Sequence, residues 1–207
     1  FVTPSRSIDD STYYDSSIYN KGKLDIIRLI RLSRGVLVNN ILIGSDKFSH
    51  FISTGIRYYS IYEDAIEDGD SEEESTKKAI RFGIFTENFI LGKMGARVFS
   101  FGDLEANFQG FLMNKRFCGG DKPYIQKVEG TWQLVNEIDL RDFVNPYWSE
   151  VYNPSHFSKG RWKVVRKNVL KNYCETEKID LLKQRIDYYN KVAKKSFSVR
   201  YIEGLVE

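Results

Sequence analysis

The chain has 207 residues, of which 42% are hydrophobic and 29% are charged, and its formal net charge is +3. This length suits one domain, or one domain with an appendage, that folds without a metal or a dense disulfide framework. The net charge is small and the Lys and Arg residues are spread along the chain, so nucleic acid is not predicted as a partner. No uncharged run approaches the roughly 18 to 20 residues of a membrane-spanning helix, so the chain is predicted not to span a membrane.

The N-terminal part is predicted to be an arm followed by helices. Residues 1–22 are rich in Ser, Asp and Tyr without a sustained period, and we expect an extended arm; residues 23–207 are expected to form a single, mostly helical domain. Helical spacing runs from Lys23 to about Leu32, and "GVLVNNILIG" follows as a loop or short extended segment. The next helix is predicted to start after Ser45, its N-cap, because apolar residues from Phe48 to Tyr62 recur at i, i+3 and i+4.

Two more helices are predicted in the middle of the chain. One runs from about Thr76 to Leu91, between the acidic loop "EDGDSEEES" and the glycine turn "GKMG". The other starts at Ser100, whose hydroxyl can cap it while Asp103 lies three residues on, and continues to about Leu112.

The second half of the chain alternates between extended and helical patterns. The alternation in "YIQKVEGTWQLV" predicts a β-hairpin with Gly130 near its turn, within an insertion of about residues 96–136. Two Asn-Pro pairs disfavour helix in "DLRDFVNPYWSEVYNPSHFSKGRW", which we expect to be a long, structured aromatic loop. Helices follow from Lys163 to Cys174 and from about Thr176 to Lys195. The predicted fold class is mainly α: a single helical domain with a small β-hairpin insertion and this aromatic loop.

The two cysteines, Cys118 and Cys174, fit no metal-ligand spacing. A disulfide between them would close a long loop and stabilise the fold by on the order of 4 kcal/mol in the chain-entropy model. Two buried free thiols are the alternative. Cys118 lies beside two glycines but has no local signature of a catalytic nucleophile.

Polar residues recur on one face of each of the three central helices. The sets are Asp46 with His50, Gly83 with Glu87, and Asp103 with Asn107 and Gly110. Residues four apart lie on the same side of a helix, so three packed helices would bring the polar members of these sets together. Gly83, one turn before Glu87, is expected to leave room for another backbone to approach.

The motifs "DKFSHF", "GIFTE" and "FSFGDLEANFQGF" carry these residues. Their order, Asp-Lys-x-x-His-Phe, then Gly-x-x-x-Glu, then Ser-x-x-Asp-Leu-x-x-Asn-x-x-Gly, resembles that of the YfiM-type envelope lipoproteins and, more loosely, of the VanZ-like membrane proteins. The resemblance covers about residues 45–112, and the part from Cys118 onward has no counterpart in it. It implies a secreted or periplasmic protein of the bacterial cell envelope, and it implies no particular reaction.

The first functional hypothesis is hydrolysis of peptidoglycan or a related envelope polysaccharide. A glycosidic bond needs a protonated carboxyl for the leaving oxygen and a second group that stabilises or attacks the sugar cation. Glu87, between an apolar helix and a glycine turn, resembles the acid of lysozyme-like folds, and Asp103 or Glu105 is the predicted second carboxylate. Three polar residues are expected behind them: Asp46, His50 and Asn107. Four aromatic residues are predicted to stack on the sugar: Tyr147, Trp148, Tyr152 and Trp162.

The second hypothesis is a non-catalytic envelope protein in which the same cluster is a structural polar network. Glu87 should then be sealed and hydrogen-bonded, whereas a catalytic Glu87 should border an open groove, and the aromatic residues would form a packed cover over the core. No cofactor is predicted, and no metal, because the acidic residues and His50 lack a recognised ligand signature. His156 is expected to be a surface or packing residue. The turns "GKMGAR" and "FCGGDK" lack the strand-to-helix context of a phosphate loop.

Overall fold

The computed structural model describes residues 35–38, 41–88, 98–150, 153 and 155–173. Their fold is mainly α with small β elements, as predicted. The predictions of an arm over residues 1–22 and of helices over residues 23–32 and 176–195 lie outside the described residues.

The described part starts with two paired strands, β1 (Gly35–Val38) and β2 (Ile41–Gly44). They run antiparallel, with Val36 opposite Ile43. Ile41 and Ile43 are both buried, because alternate residues of a strand point to the same face. The segment that was predicted as a loop or short extended piece is therefore an antiparallel strand pair.

The first long helix is continuous but changes its geometry. It consists of α1 (Asp46–Ser49), a π-helical segment (His50–Thr54) and α2 (Gly55–Glu67). Ser45 stands at the predicted N-cap position, but its side chain makes no capping hydrogen bond. Single π turns within α-helices are frequent at functional sites, and this one begins at His50.

Helix α3 (Glu72–Thr86) begins earlier than predicted. The hydroxyl of Ser71 accepts a hydrogen bond from the Glu74 amide at 3.3 Å and caps the helix. Three successive Glu residues then occupy the first turn, where the positive end of the helix dipole favours them. The predicted acidic loop thus ends at Ser71, and the predicted turn "GKMG" lies outside the described residues.

Helix α4 (Phe101–Cys118) is the central element. The Ser100 hydroxyl accepts a hydrogen bond from the Asp103 amide at 3.1 Å, so the predicted cap is confirmed. Every residue from Gly102 to Phe111 is buried, which means that the helix is covered on all sides along this stretch. Any polar side chain that it carries there must find its partners inside the protein.

Small β elements and a final helix follow α4. The predicted hairpin is confirmed as β4 (Ile125–Val128) and β5 (Thr131–Leu134), with Gly130 at a φ of 84° in its turn. Two further strands, β3 (Val98–Phe99) and β6 (His156–Phe157), pair antiparallel across the chain. Helix α5 (Lys159–Tyr173) follows β6.

Two hydrophobic clusters flank α4. The first joins α2, α3 and α4 and contains Tyr58, Tyr62, Ala79, Ile80, Leu104, Phe108 and Phe111. The second joins β2, the π segment and the aromatic loop and contains Ile41, Ile43, Phe51, Ala106, Tyr124, Phe143, Val144 and Trp148. Leu104 and Ala106, two residues apart on α4, thus face different clusters.

The approach of α2 to α4 is set by two glycines. A Cβ on Gly55 would lie 2.7 Å from the Cα of Gly110, and a Cβ on Gly110 would meet the Phe51 carbonyl oxygen. Side chains at either position would push the helices apart. Because the helices approach closely here, the π segment packs directly against α4, and His50 contacts Asp103 and Asn107.

Candidate functional site

The ammonium group of Lys47 lies among three carboxylates inside the protein. Its Nζ is 2.5 Å from Asp103 Oδ1, 3.1 Å from Asp46 Oδ2 and 3.2 Å from Glu150 Oε1. The residue is only 1% exposed. A buried ammonium is strongly unfavourable unless charged partners surround it, and here they come from α1, α4 and the aromatic loop.

His50 joins Asp103 to Asn107. Its Nε2 is 3.4 Å from Asp103 Oδ2, and its Nδ1 is 3.1 Å from Asn107 Oδ1. Burial alone would raise the pKa of Asp103, but His50 and the ammonium group of Lys47, which also donates a hydrogen bond to the carboxylate, lower it below its ordinary value. Asp103 is therefore an ionised carboxylate at neutral pH.

Glu87 follows the last residue of α3 and has the opposite protonation state. It is 3% exposed, and its Oε1 accepts a hydrogen bond from the Ser100 amide at 2.9 Å. Burial and the negative charge of Asp103 raise its pKa to about 8, although Ser100 and Lys47 act in the other direction. Glu87 is consequently protonated at neutral pH, beside an ionised Asp103.

Ser100 links the carboxyl groups of Glu87 and Glu150 to the backbone of Asp103. Its amide donates to Glu87, and its hydroxyl donates to Glu150 Oε1 at 2.7 Å while accepting from the Asp103 amide. Glu150 Oε2 in turn accepts a hydrogen bond from the Ser155 hydroxyl. The cap of α4 therefore also ties the aromatic loop to the end of α3.

Tyr58 lies close to Glu87 and fills the space next to residue 83, which is why a Gly is needed at that position. A Cβ on Gly83 would lie 2.8 Å from the Tyr58 Cε1 and would also meet the hydroxyl. Burial and the charge of Glu87 raise the pKa of Tyr58, while Asn107 acts to lower it. Gly83 thus makes room for an aromatic side chain, which corrects the prediction that another backbone approaches there. Backbone contact occurs instead at Gly110.

Glu105 faces away from this group. It is fully buried, and its Oε1 accepts hydrogen bonds from Gln109 Nε2 at 2.9 Å and Asn145 Nδ2 at 2.8 Å. Two residues along a helix correspond to a turn of about 200°, so Glu105 points to the opposite side of α4 from Asp103. Of the two predicted second carboxylates, Asp103 is the one whose charge acts on Glu87.

Two of the four aromatic residues predicted to stack on a sugar are packed inside the protein. Trp148 is fully buried, with its ring 5.2 Å from that of Phe51, and Tyr147 is also buried. Their rings are not presented to a ligand, which corrects the prediction for these two residues in favour of a packed cover. Trp162 is 38% exposed, and Tyr152 lies outside the described residues.

The remaining candidates lie apart from the cluster. His156 is exposed and packs its ring edge-on against Phe101 at 5.0 Å, as predicted for a surface or packing residue. Cys118 is exposed at the end of α4, whereas Cys174 lies outside the described residues, so the disulfide stays a prediction. Within the described ranges, His, Cys, Asp and Glu form no group of three that could hold a metal ion.

The residues predicted at the centre of the site lie together in the structure. The buried cation Lys47 and the carboxylate of Glu150 are additional charges that the prediction lacked. The five predicted polar residues come together, and they are joined by Ser100, which the sequence predicted only as a helix cap, and by Lys47 and Glu150, which it did not predict at the site. We call the full set the Lys47 cluster: Asp46, Lys47, His50, Glu87, Ser100, Asp103, Asn107 and Glu150. Lys47 lies inside the motif "DKFSHF", and Glu150 lies between the two Asn-Pro pairs, so both positions carried a weak signal.

No protein-family profile, curated protein or solved structure matches the chain. The resemblance to the YfiM-type and VanZ-like pattern therefore stays a prediction. Among the helices of the described residues, none has the length and apolar character needed to cross a membrane.

Proposed function

We propose that the chain is a non-catalytic protein of the bacterial cell envelope and that the Lys47 cluster is a structural network that locks its helices together. The closure of the cluster supports the structural role, and the envelope location rests on the resemblance of the sequence motifs. Lys47 and Glu87 are almost inaccessible, and the charged groups contact one another. A general acid has to come within hydrogen-bond distance of the leaving oxygen of its substrate, which a sealed carboxyl cannot do.

The network also connects segments that are distant in sequence. Lys47 on α1 contacts Asp103 on α4 and Glu150 in the aromatic loop, while Ser100 holds Glu87 after α3. Loss of any one charged partner would leave an uncompensated charge in the interior, which lowers the stability of the fold. The cluster therefore favours one packing of these segments over alternatives.

Replacing the central cation tests the network. Lys47→Met keeps much of the side-chain volume but leaves three carboxylates without their shared cation, so the free energy of unfolding should fall by about 3–5 kcal/mol. Urea unfolding at neutral pH, followed by circular dichroism, measures this loss. The matched control is Lys78→Met, because Lys78 pairs with Asp70 at 2.6 Å but is half exposed. Equal stability of Lys47→Met and wild type would contradict the proposal.

Hydrolysis of an envelope glycan is the second candidate function, and one observation favours it. A pKa of about 8 keeps Glu87 protonated at neutral pH beside the ionised Asp103. Two carboxyl groups held in opposite protonation states are what a lysozyme-like mechanism requires. Glu87 would donate the proton and Asp103 would stabilise the sugar cation, once the site had opened to admit the chain of sugars.

Digestion of purified peptidoglycan separates the two candidates. Acetylated and deacetylated preparations are incubated with wild type and with Glu87→Gln, and turbidity and released fragments are recorded. Fragments from wild type alone would support the hydrolase with Glu87 as its acid, and fragments from both would keep the hydrolase but remove Glu87 from that role. The non-catalytic proposal expects no fragments from either protein on any preparation.

A further inference from the structure

Helix α5 carries charge of one sign only. Its sequence "KGRWKVVRKNVLKNY" contains four Lys and two Arg residues and neither Asp nor Glu. The net charge of the whole chain is only +3, so the six positive charges of α5 exceed it and are offset by acidic residues elsewhere in the chain. Among the helices of the described chain, α5 is the one that carries Lys and Arg residues but no acidic residue.

The basic side chains of α5 share one exposed face. Val165 is buried and marks the inner side of the helix. Lys159, Lys163, Arg166 and Lys167 are all exposed and follow one another at i, i+4, i+7 and i+8, which places them on a single stripe. We call this stripe the basic face. The ion pairs found among the described residues do not involve any of its four members.

Apolar side chains are exposed on the same helix. Leu170 is 55% exposed and lies one turn after Arg166, within the basic face. Trp162 is exposed beside this face, with its ring 5.8 Å from that of Phe157. A dissolved polyanion would attract the charges but would gain nothing from Leu170. A lipid surface gains from both, because apolar side chains enter the boundary between headgroups and acyl chains while Lys and Arg reach the phosphates.

We propose that the basic face of α5 binds the surface of an anionic phospholipid bilayer. The helix would lie flat on the membrane, with its four exposed cations at the headgroup phosphates and with Leu170 and Trp162 at the acyl boundary, where Trp is favoured. Each Lys or Arg held near such a surface strengthens binding about fivefold. The inference stands on α5 and is independent of the role of the Lys47 cluster.

Vesicle sedimentation tests this binding. Wild type is mixed with vesicles of phosphatidylglycerol and phosphatidylcholine, or of phosphatidylcholine alone, at low and at physiological ionic strength. We expect binding to the anionic vesicles only, weakening with salt. Replacement of Lys159, Lys163, Arg166 and Lys167 by Gln together should weaken it on the order of a hundredfold or more. Leu170→Ser should weaken it severalfold at both ionic strengths.

The control variant removes the same charge elsewhere. Its four substitutions to Gln are at exposed positions outside α5: Lys78, Lys122, Lys127 and Arg141. It should keep most of the binding, and circular dichroism should show that both variants are folded. Equal loss in the two variants, binding to neutral vesicles as strong as to anionic ones, or no binding at all would overturn the proposal. Stronger binding to a soluble polyphosphate, unaffected by Leu170→Ser, would replace the bilayer by a dissolved polyanion.

Discussion

Ser100 is a small residue that serves two purposes at once. It caps α4 through the hydrogen bond from the Asp103 amide, and it holds Glu87 and Glu150 through its own amide and hydroxyl. The cap of a helix normally satisfies a backbone group and can be exchanged among Ser, Thr, Asn and Asp. Here the exchange is restricted, because an Asp at this position would add another negative charge beside two carboxyl groups.

The raised pKa of Glu87 predicts how stability depends on pH. The folded state holds the Glu87 proton up to a pKa of about 8, whereas the unfolded chain releases it near the ordinary value of Glu, about 4.5. Folding therefore takes up a proton between these values, and the free energy of unfolding should decrease as pH rises through this window, by up to several kcal/mol. Urea unfolding at a series of pH values from about 5 to 9 measures the slope.

Glu87→Gln should flatten this slope. Gln is neutral at every pH, and its carbonyl oxygen can accept the same hydrogen bond from Ser100, so the variant should match wild type near pH 5 and exceed it near pH 9. Glu73→Gln, at a mostly exposed position on α3, is the control and should keep the wild-type slope. Parallel curves for wild type and Glu87→Gln would contradict the raised pKa. Asp103 acts oppositely: its lowered pKa gives stability that is lost only as pH falls below about 4.

At the scale of elements, the packing of α2 on α4 depends on the absence of two side chains. Gly110→Ala would place a Cβ against the Phe51 carbonyl oxygen and 3.0 Å from the Cα of Gly55, and neither backbone group can rotate away. We expect the variant to lose about 1–3 kcal/mol of stability or more, from overpacking. Thermal unfolding measures the loss.

Gly119→Ala supplies the comparison for that substitution. Gly119 follows the last residue of the same helix, and its added Cβ would be 3.1 Å from the Lys115 carbonyl oxygen, a contact that a small shift relieves. The melting temperature should change little there. A drop at Gly119 as large as that at Gly110 would contradict the assignment of the cost to the approach of α2, because helix propensity favours Ala over Gly and would not lower the stability.

The spacing of apolar residues was sufficient to predict the central helices. Capping residues and turn signals were not sufficient to predict all of the helix ends. The apolar stripe from Phe48 to Tyr62 predicted the first long helix, but a stripe cannot indicate the π turn inside it. The acidic run before Thr76 predicts a loop, whereas Glu72 to Glu74 form the first turn of α3, where their charge is favourable. Helix α4 continues past Leu112 to Cys118, a stretch that includes the strong helix formers Met113, Lys115 and Arg116.

The residues of the site that share one face of a helix could be predicted from the sequence. Those that are brought to the site by tertiary packing could not. Spacing brought Asp103 and Asn107 together with His50, as observed. Lys47 has the appearance of a solvated surface lysine in the sequence, and only the packing of three carboxylates around it makes burial tolerable. The contact of Glu150 with Ser100 depends on the path of a loop, which has no period.

At the scale of the whole molecule, the small net charge conceals regions of opposite sign. Residues 67–74 contain six acidic residues and no basic one, and α5 contains six basic residues and no acidic one. The net charge of the whole chain therefore predicts little about its partners, because association is steered by local electric fields that act over about a Debye length. Salt should therefore affect binding to α5 more strongly than the net charge suggests.

The three tryptophans of the chain lie in three different surroundings. Trp148 is sealed in the core, Trp132 is exposed on the β4–β5 hairpin, and Trp162 is part of the exposed side of α5. Their fluorescence is consequently separable. In single-tryptophan variants, acrylamide should quench Trp132 readily and Trp148 hardly at all, so the emission of Trp148 would report the integrity of the interior while that of Trp162 would report what α5 touches.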